Sequence, residues 1–351
     1  MADIDAELLA SLKESSAQQV SKKPEIKEAK IEKKAIAKKA GESLFSEIFG
    51  WKPTIIDDLP LHTYAEEDWD EKIRARIPAL LKGYLWNREY TEKAALAIHV
   101  GGPILLHGPT GTGKTEMARQ LCGKFGMPFF RVSCHQQMEM SDFLGNNMVV
   151  NNDGVPVTQH SHTDTTLAAT YGGMLVVDEA FRSPILMAIQ GLLETPHHLV
   201  LQDAHGANRI LHPAKPLHIC LTDNTNGTGD SSGVYNAEVQ DVSTLDRLRH
   251  TLYVDYMPKK AEKAMLGKNF PDLDESILGD MVSVANLIRS AFKEGKIMQT
   301  MSLRALCNWA DNSQYTGELR KSFQLCMLDK LSQDDQAVVN SCFRQVTGGD
   351  V

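Results

Sequence analysis

What this chain of 351 residues lacks narrows its class before any motif is read. No uninterrupted apolar run approaches the ~18 residues a membrane-spanning helix needs, so no membrane partner is expected. The opening MADIDAELLA carries acids where a secretory leader carries basic residues and then a long apolar stretch, and the expected location is the cytoplasm. Cysteines are few and scattered: Cys122, Cys134, Cys220, Cys307, Cys326 and Cys342 include no CxxC pair, which argues for reduced, mostly buried thiols rather than a disulfide frame or a zinc site. Excess positive charge is missing as well. A net charge of −8 has the wrong sign for wholesale nucleic-acid binding, although a local basic surface can hide inside an acidic total.

With 42% hydrophobic and 23% charged residues, the chain is long enough for about two domains with a substantial core. Residues 1–42 stand apart, because SKKPEIKEAKIEKKAIAKKAG is Lys, Glu and Ala almost without aromatics and cannot build a core. They are expected to be a helical or disordered extension, with a basic tether to a partner or nucleic acid as the alternative. Residues 43–100 are expected to be a lead-in that packs on the next domain, helical in spacing from about 70 to 100. From 101 to 258 short apolar runs alternate with helical stretches, the pattern of a parallel sheet flanked by helices. The strand candidates are Ile104–His107, Pro128–Val132, Met174–Val177, Leu217–Leu221 and Leu252–Val254. Residues 259–351 read as helices only, a second, all-α domain.

The octapeptide Gly108-Pro109-Thr110-Gly111-Thr112-Gly113-Lys114-Thr115 has the spacing G-x4-G-K-[ST] of a phosphate-binding loop. Its glycines let successive backbone N–H groups turn inward on a β-phosphate. Lys114 brings positive charge to the place where β- and γ-phosphates meet, and the Thr115 hydroxyl is suited to Mg²⁺. The apolar run before it and EMARQLCGKFG after it supply the strand and helix that such a loop requires.

Further on, Met174-Leu175-Val176-Val177 delivers Asp178 and Glu179 at a strand's end. Asp178 is placed to hold Mg²⁺ through water and Glu179 to polarise a water for attack on the γ-phosphate. Adjacent Asp and Glu favour hydrolysis over transfer to a small acceptor, which leaves a P-loop kinase as a weaker alternative. Asn224, tipping the strand from His218, is a candidate to orient the same water, although Asn also ends strands for turn chemistry alone. In STLDRLR, Arg247, with Arg249 in reserve, is a candidate to reach a neighbouring copy's nucleotide; the competing reading is a salt bridge with Asp246. Ser302 reads as a helix cap that leaves Arg304 in the first turn, in reach of the γ-phosphate. Hairpins are expected at 148–158, around Asp153-Gly154, and at 199–212, around His205-Gly206, each either projecting into a central pore or decorating the surface. His160, His162, His197 and His198 lack paired cysteines or carboxylates in register and read as loop residues.

In this order the motifs resemble the AAA+ ATPases of the MoxR branch, and among them the CobS-like ATPase subunits of aerobic cobaltochelatase. The likeness rests on HGPTGTGKT at 107–115, TDNTNGTGD at 222–230, LDRLRHTLYVDYMP at 245–258 and MSLRALCNWADN at 301–312, and spans about residues 43–315. It implies an α/β P-loop core with a five-stranded parallel sheet and a C-terminal helical lid. It also implies ATP with Mg²⁺, bound between subunits of a ring, commonly hexameric, with Arg247 acting across the interface. A von Willebrand A-domain partner goes with the branch; as this chain has no DxSxS motif, that partner would be a separate polypeptide. Asp223 departs from the small residue usual at its position, and DEAFRSP departs from the cobaltochelatase wording. Such ATPases also occur in bacteriophages, and a nucleic-acid-linked motor of phage or restriction type is the alternative function.

Overall fold

The computed structural model describes residues 41–201, 209–230, 233–235 and 237–349. The predicted extension up to residue 40 and the tip of the second predicted hairpin, His205-Gly206, lie outside the described residues.

Five short strands form the central sheet: β1 Ile104–His107, β2 Phe129–Ser133, β3 Gly173–Asp178, β4 Leu217–Asp223 and β5 His250–Tyr253. They are all parallel, in the order β5-β1-β4-β3-β2. Parallel strands need crossovers, which cover both faces of the sheet and make the strands read as apolar runs rather than alternations. All six residues of β3 are buried, with Leu175, Val176 and Val177 fully so, each stabilising the fold by about 1.5–3 kcal/mol. Register, more than strand length, positions the polar strand ends. His107 pairs with Asp223, Thr222 with Asp178, and Asp178 with Ser133, so the polar residues that end four strands stand level along one crest. In open α/β sheets ligands bind at such carboxyl ends.

Behind β1 the chain turns through the glycine-rich loop into helix Lys114–Phe125, which stops at Gly126 in the left-handed region. The lead-in wraps this stop: Tyr64 N–H donates to Phe125 O at 2.8 Å and Trp69 Nε1 to Gly126 O at 2.8 Å. Phe45, Phe49, Leu61 and Trp69 belong to the same buried cluster as the sheet. The helical spacing predicted for 70–100 is kept only at its two ends, Glu71–Arg74 and Arg88–Val100. Between them Pro78 and Gly83 break the pattern, Leu81 N–H bonds to Gln120 Oε1 at 2.9 Å, and Asn87 caps the second helix.

Asn146–Asn152 and Val155–Ser161 form an antiparallel hairpin longer than its predicted span, turning at Asp153-Gly154 with both residues at positive φ, as a two-residue turn with right-handed strands requires. A second, small ladder pairs Leu199–Val200 with Ile210–Leu211.

From Lys259 to Thr347 the elements are helical, with their own buried cluster around Ile288, Trp309, Phe323 and Phe343. Within that cluster lies an ion pair. Arg289 donates from both terminal nitrogens to Glu262 at 2.8 Å, and the two side chains are 4% and 0% exposed. Its Nε reaches Met301 O at 2.8 Å, and its guanidinium lies 3.9 Å above the Tyr256 ring. Among the described residues no helix is long and apolar enough to cross a membrane.

Candidate functional site

The loop from Gly108 to Thr115 sits on the crest between β5 and β4, and two of its glycines are dictated by close approach. Gly108 adopts φ 142° with the Val254 carbonyl where a Cβ would stand, 2.3 Å away. At Gly111, φ 69°, a Cβ would fall 2.3 Å from Ser302 Cβ, so the loop tip lies directly under the start of helix Leu303–Thr316. Leu303 N–H donates to Gly111 O at 3.1 Å. Thr110 is gripped from two sides: its N–H reaches the Tyr235 hydroxyl at 3.4 Å, and its carbonyl accepts from the Tyr256 hydroxyl at 2.8 Å. Thr112 Oγ1 folds back on Pro109 O at 3.2 Å.

Lys114 is buried, its ammonium donating to Gly108 O at 2.8 Å, Pro109 O at 2.9 Å and Asn224 Oδ1 at 3.2 Å. Burial pushes its pKa down to about 8, against the pull of Asp223, Asp178 and Glu179. Asp178 shows the opposite balance. Burial alone would raise it, but hydroxyls from Thr222 and Thr115 and the guanidinium of Arg131 hold the carboxyl below its ordinary value. Thr115 Oγ1 stands 2.9 Å from Asp178 Oδ1. A hydroxyl and an ionised carboxylate, both hard oxygen donors at the mouth of an N–H-lined loop, fit Mg²⁺, which prefers one or two such ligands plus water and phosphate oxygens.

Glu179 follows in the left-handed region at φ 55°, rare for a non-glycine residue and of the kind that clusters at working sites, where it costs about 1–3 kcal/mol. Its carboxylate pairs with Arg182 at 3.1 Å. The turn is braced by Asp223, which accepts from Phe181 N–H at 3.0 Å and from Thr225 N–H and Oγ1 at 2.8 and 2.9 Å. A carboxylate at this position therefore ties the Glu179 turn to the Asn224 turn, a job a small residue could not do. Asn224 and Arg304 both line the cavity of about 570 Å³ that the loop, Asp178 and Glu179 enclose.

Arg247 is not brought into that cavity. Its guanidinium bonds to Glu194 Oε1 at 2.9 Å and Ser243 O at 2.6 Å, so the partner within this chain is Glu194 and not Asp246. Arg249 lies elsewhere, packed over Gly102 with Nη1 3.4 Å from Val100 O. Among the described residues no group of His, Cys, Asp and Glu could hold a metal ion by itself, and His160 bonds instead to Leu144 O at 2.9 Å.

A second cavity, about 520 Å³, opens beside the first and shares Gly111, Thr112, Gly113, Glu116 and Arg304 with it. Its wall is apolar where the first is polar, with Tyr84, Leu85, Met117, Met257 and Met265, and Asn87 and Asn269 at its edge.

Four residues of this site are given no role by the sequence, although Thr222 lies in TDNTNGTGD, Tyr235 in GVY and Tyr256 in LDRLRHTLYVDYMP. Arg131 and Thr222 both contact Asp178, and Tyr235 and Tyr256 fix Thr110. Only Arg131 left a signal, a charge in the middle of a parallel strand where apolar residues are the rule.

A glycine-rich loop leading from β1 into a helix, with an Asp-Glu strand end and a polar-tipped strand level with it, defines a P-loop ATPase of the AAA class. Residues 103–231 match the model of the AAA domain (dynein-related subfamily), and residues 262–347 match that of the CbbQ/NirQ/NorQ C-terminal region. The chain thus combines an AAA domain with a CbbQ/NirQ/NorQ-type C-terminal region, the MoxR-type arrangement. It is 28% identical over 309 residues to the aerobic cobaltochelatase subunit CobS of Sinorhizobium sp, covering 86% of this chain and 89% of that one. It is 22% identical to the denitrification regulatory protein NirQ of Stutzerimonas stutzeri, covering 68% and 82%. A Thermotoga maritima RuvB variant superposes loosely, at a TM-score of 0.44 and 14% identity over 74% of this chain and 75% of that one.

Proposed function

We propose that this ATPase works as a Mg²⁺-dependent ring, with ATP held between adjacent copies, and that it remodels a separate partner protein. The observation that carries the reading is the convergence of three strand ends on one cavity: Lys114 with Asn224 at 3.2 Å, and Thr115 with Asp178 at 2.9 Å, beside Glu179. In it the loop from Gly108 to Thr115 wraps the phosphates with backbone N–H groups, and Lys114 exchanges its loop carbonyls for phosphate oxygens. Thr115 and Asp178 would hold the divalent ion, which would supply neutralisation of the phosphate charge. Glu179 and Asn224 orient and polarise the attacking water, with Glu179 released from Arg182 to do so, and Arg304 faces the γ-phosphate from the helical region. The apolar second cavity takes the base, adenine in this reading, and places it against Tyr84 and Met117.

Arg247 carries the trans role. Its place outside its own chain's cavity, paired with Glu194, leaves it to act on the next subunit's nucleotide if that pairing opens. The partner is a von Willebrand A-domain protein, and the relationship to CobS over most of both chains supports an assembly of the cobaltochelatase type.

The test is ATP turnover per subunit against protein concentration. It should rise steeply as copies associate; Glu179→Gln should retain ATP in an oligomer without hydrolysis, and Arg247→Ala should bind ATP yet fail to turn it over. Full turnover by a monomer, or an unimpaired Arg247→Ala protein, would sink the ring. A pull-down with the Glu179→Gln protein and ATP identifies the partner.

A further inference from the structure

We infer that Arg131 is a positioning residue for the divalent ion: its guanidinium serves as the resident counter-charge of Asp178 and gives up that carboxylate oxygen when metal and nucleotide arrive together. The inference rests on the ATPase reading of the cavity and adds a residue to it.

Arg131 stands in the middle of β2, two residues before the crest, where its neighbours Phe130 and Val132 are buried. Its backbone is pinned, the N–H donating to Asp164 Oδ2 at 3.0 Å while Asp164 pairs with Arg76 at 2.8 Å. The side chain is half exposed, lines the phosphate cavity and lies across to β3, where Nε, at 3.0 Å, and Nη2 both donate to Asp178 Oδ2. The other oxygen, Oδ1, accepts from Thr115 and Thr222. Four donors thus share one carboxylate, and together they favour its ionised form. A divalent ion approaching Thr115 meets an Asp178 whose free oxygen is already taken by a positive charge. The two cations compete for one anion.

The charge count shows what the competition is worth. The cavity lining carries four cations, Lys114, Arg119, Arg131 and Arg304, against four anions, Glu116, Asp178, Glu179 and Asp223. Without Arg131 the lining turns net negative, and Asp178 faces the incoming phosphates uncompensated. Arg131 therefore has opposite effects on two equilibria. It aids the binding of nucleotide alone, by neutralising Asp178, and it weakens the binding of the ion, by occupying Asp178.

Fluorescent ATP-analogue binding to the full chain, in EDTA and across a Mg²⁺ titration, tests this, with Mn²⁺ binding by electron paramagnetic resonance at saturating non-hydrolysable ATP analogue as the second readout. Arg131→Met should weaken metal-free nucleotide binding and tighten Mn²⁺ binding, each by about fivefold, the upper end for a half-exposed ion pair. Arg131→Lys keeps the charge without the two-pronged grip; it should hold metal-free affinity near wild type while Mn²⁺ tightens, and it serves if the methionine variant does not fold. Equal losses with and without metal would mean a structural arginine and overturn the inference. So would a loss confined to ATP, with ADP and Mn²⁺ binding unchanged, which would place the guanidinium on the γ-phosphate. If the wild-type chain binds no nucleotide under either condition, the ATPase reading fails instead.

Discussion

The ion pair between Glu262 and Arg289 offers the most quantitative test of how the helical region is built. Both side chains are within 4% of full burial, and the guanidinium is held on three sides: by two 2.8 Å bonds to Glu262, by the Met301 carbonyl, and by the Tyr256 ring. Glu262→Ala deletes the only negative charge in that set. The remaining carbonyl and ring can hold the guanidinium but cannot neutralise it, so the loss should be about 3–5 kcal/mol, the usual consequence of stranding one member of a buried pair. Removing both charges is a different experiment. In Glu262→Leu/Arg289→Met the desolvation penalty of both ions disappears, leaving chiefly the Met301 carbonyl without its donor at about 1–3 kcal/mol, so the double variant should be clearly more stable than the single one. Urea denaturation followed by circular dichroism measures both. A Glu262→Ala protein within about 1 kcal/mol of wild type, or a double variant no better than it, would refute the account of this cluster. ATP affinity should fall in both variants, because Arg289 also seats Tyr256, whose hydroxyl orients the Thr110 carbonyl.

Three other outcomes can be checked on the same protein. Gly111→Ala, at φ 69° with Ser302 Cβ 2.3 Å from the new methyl, should lose about fivefold to a hundredfold in nucleotide affinity by fluorescence titration, from a backbone and steric cost of about 1–3 kcal/mol; unchanged affinity would contradict the contact. Lys114, whose pKa burial pushes down to about 8, sheds its proton in the free protein as pH rises through that value, so ATP affinity should weaken there, and a flat profile in wild type would deny it. Because that folded value lies below the ordinary 10.5, the unfolded chain binds more protons between the two, and this group's contribution to stability rises with pH in that window. Asp223→Ala orphans the N–H groups of Phe181 and Thr225 and should lower stability by about 1–3 kcal/mol while depressing turnover more than ATP affinity, since it unties the Glu179 and Asn224 turns; a purely affinity-based defect would argue against that brace.

Much of the sheet was legible because parallel strands buried on both faces carry their signal in short apolar runs, and all five runs read from the sequence fall on strands. The nucleotide loop was legible for a different reason: its chemistry needs fixed residue types at fixed spacing, so Gly108, Lys114 and Thr115 announce themselves locally. What escaped was whatever depends on two distant segments meeting. Tyr235 and Tyr256 look like ordinary loop tyrosines until they close on Thr110, and Asp223 looks like a departure until it is seen bonding Phe181. The stretch from 75 to 87 kept helical spacing without being helical, since Pro78 and Gly83 overrule periodicity. Arg247 is a candidate by its position after Asn224, yet its contact with Glu194, more than fifty residues upstream, has no sequence signature.

The single bond from Leu303 N–H to Gly111 O has a kinetic meaning beyond its geometry. It joins the first free amide of a 14-residue helix to the tip of the loop that would enclose the phosphates, so swinging that helix away and loosening that loop become one event. Were spent nucleotide to leave by that opening, its release would follow hinge motion, on the order of microseconds to milliseconds or slower, rather than ligand diffusion. If release required that bond to open, anything gripping the helical region from outside would reach the phosphate loop through a single amide.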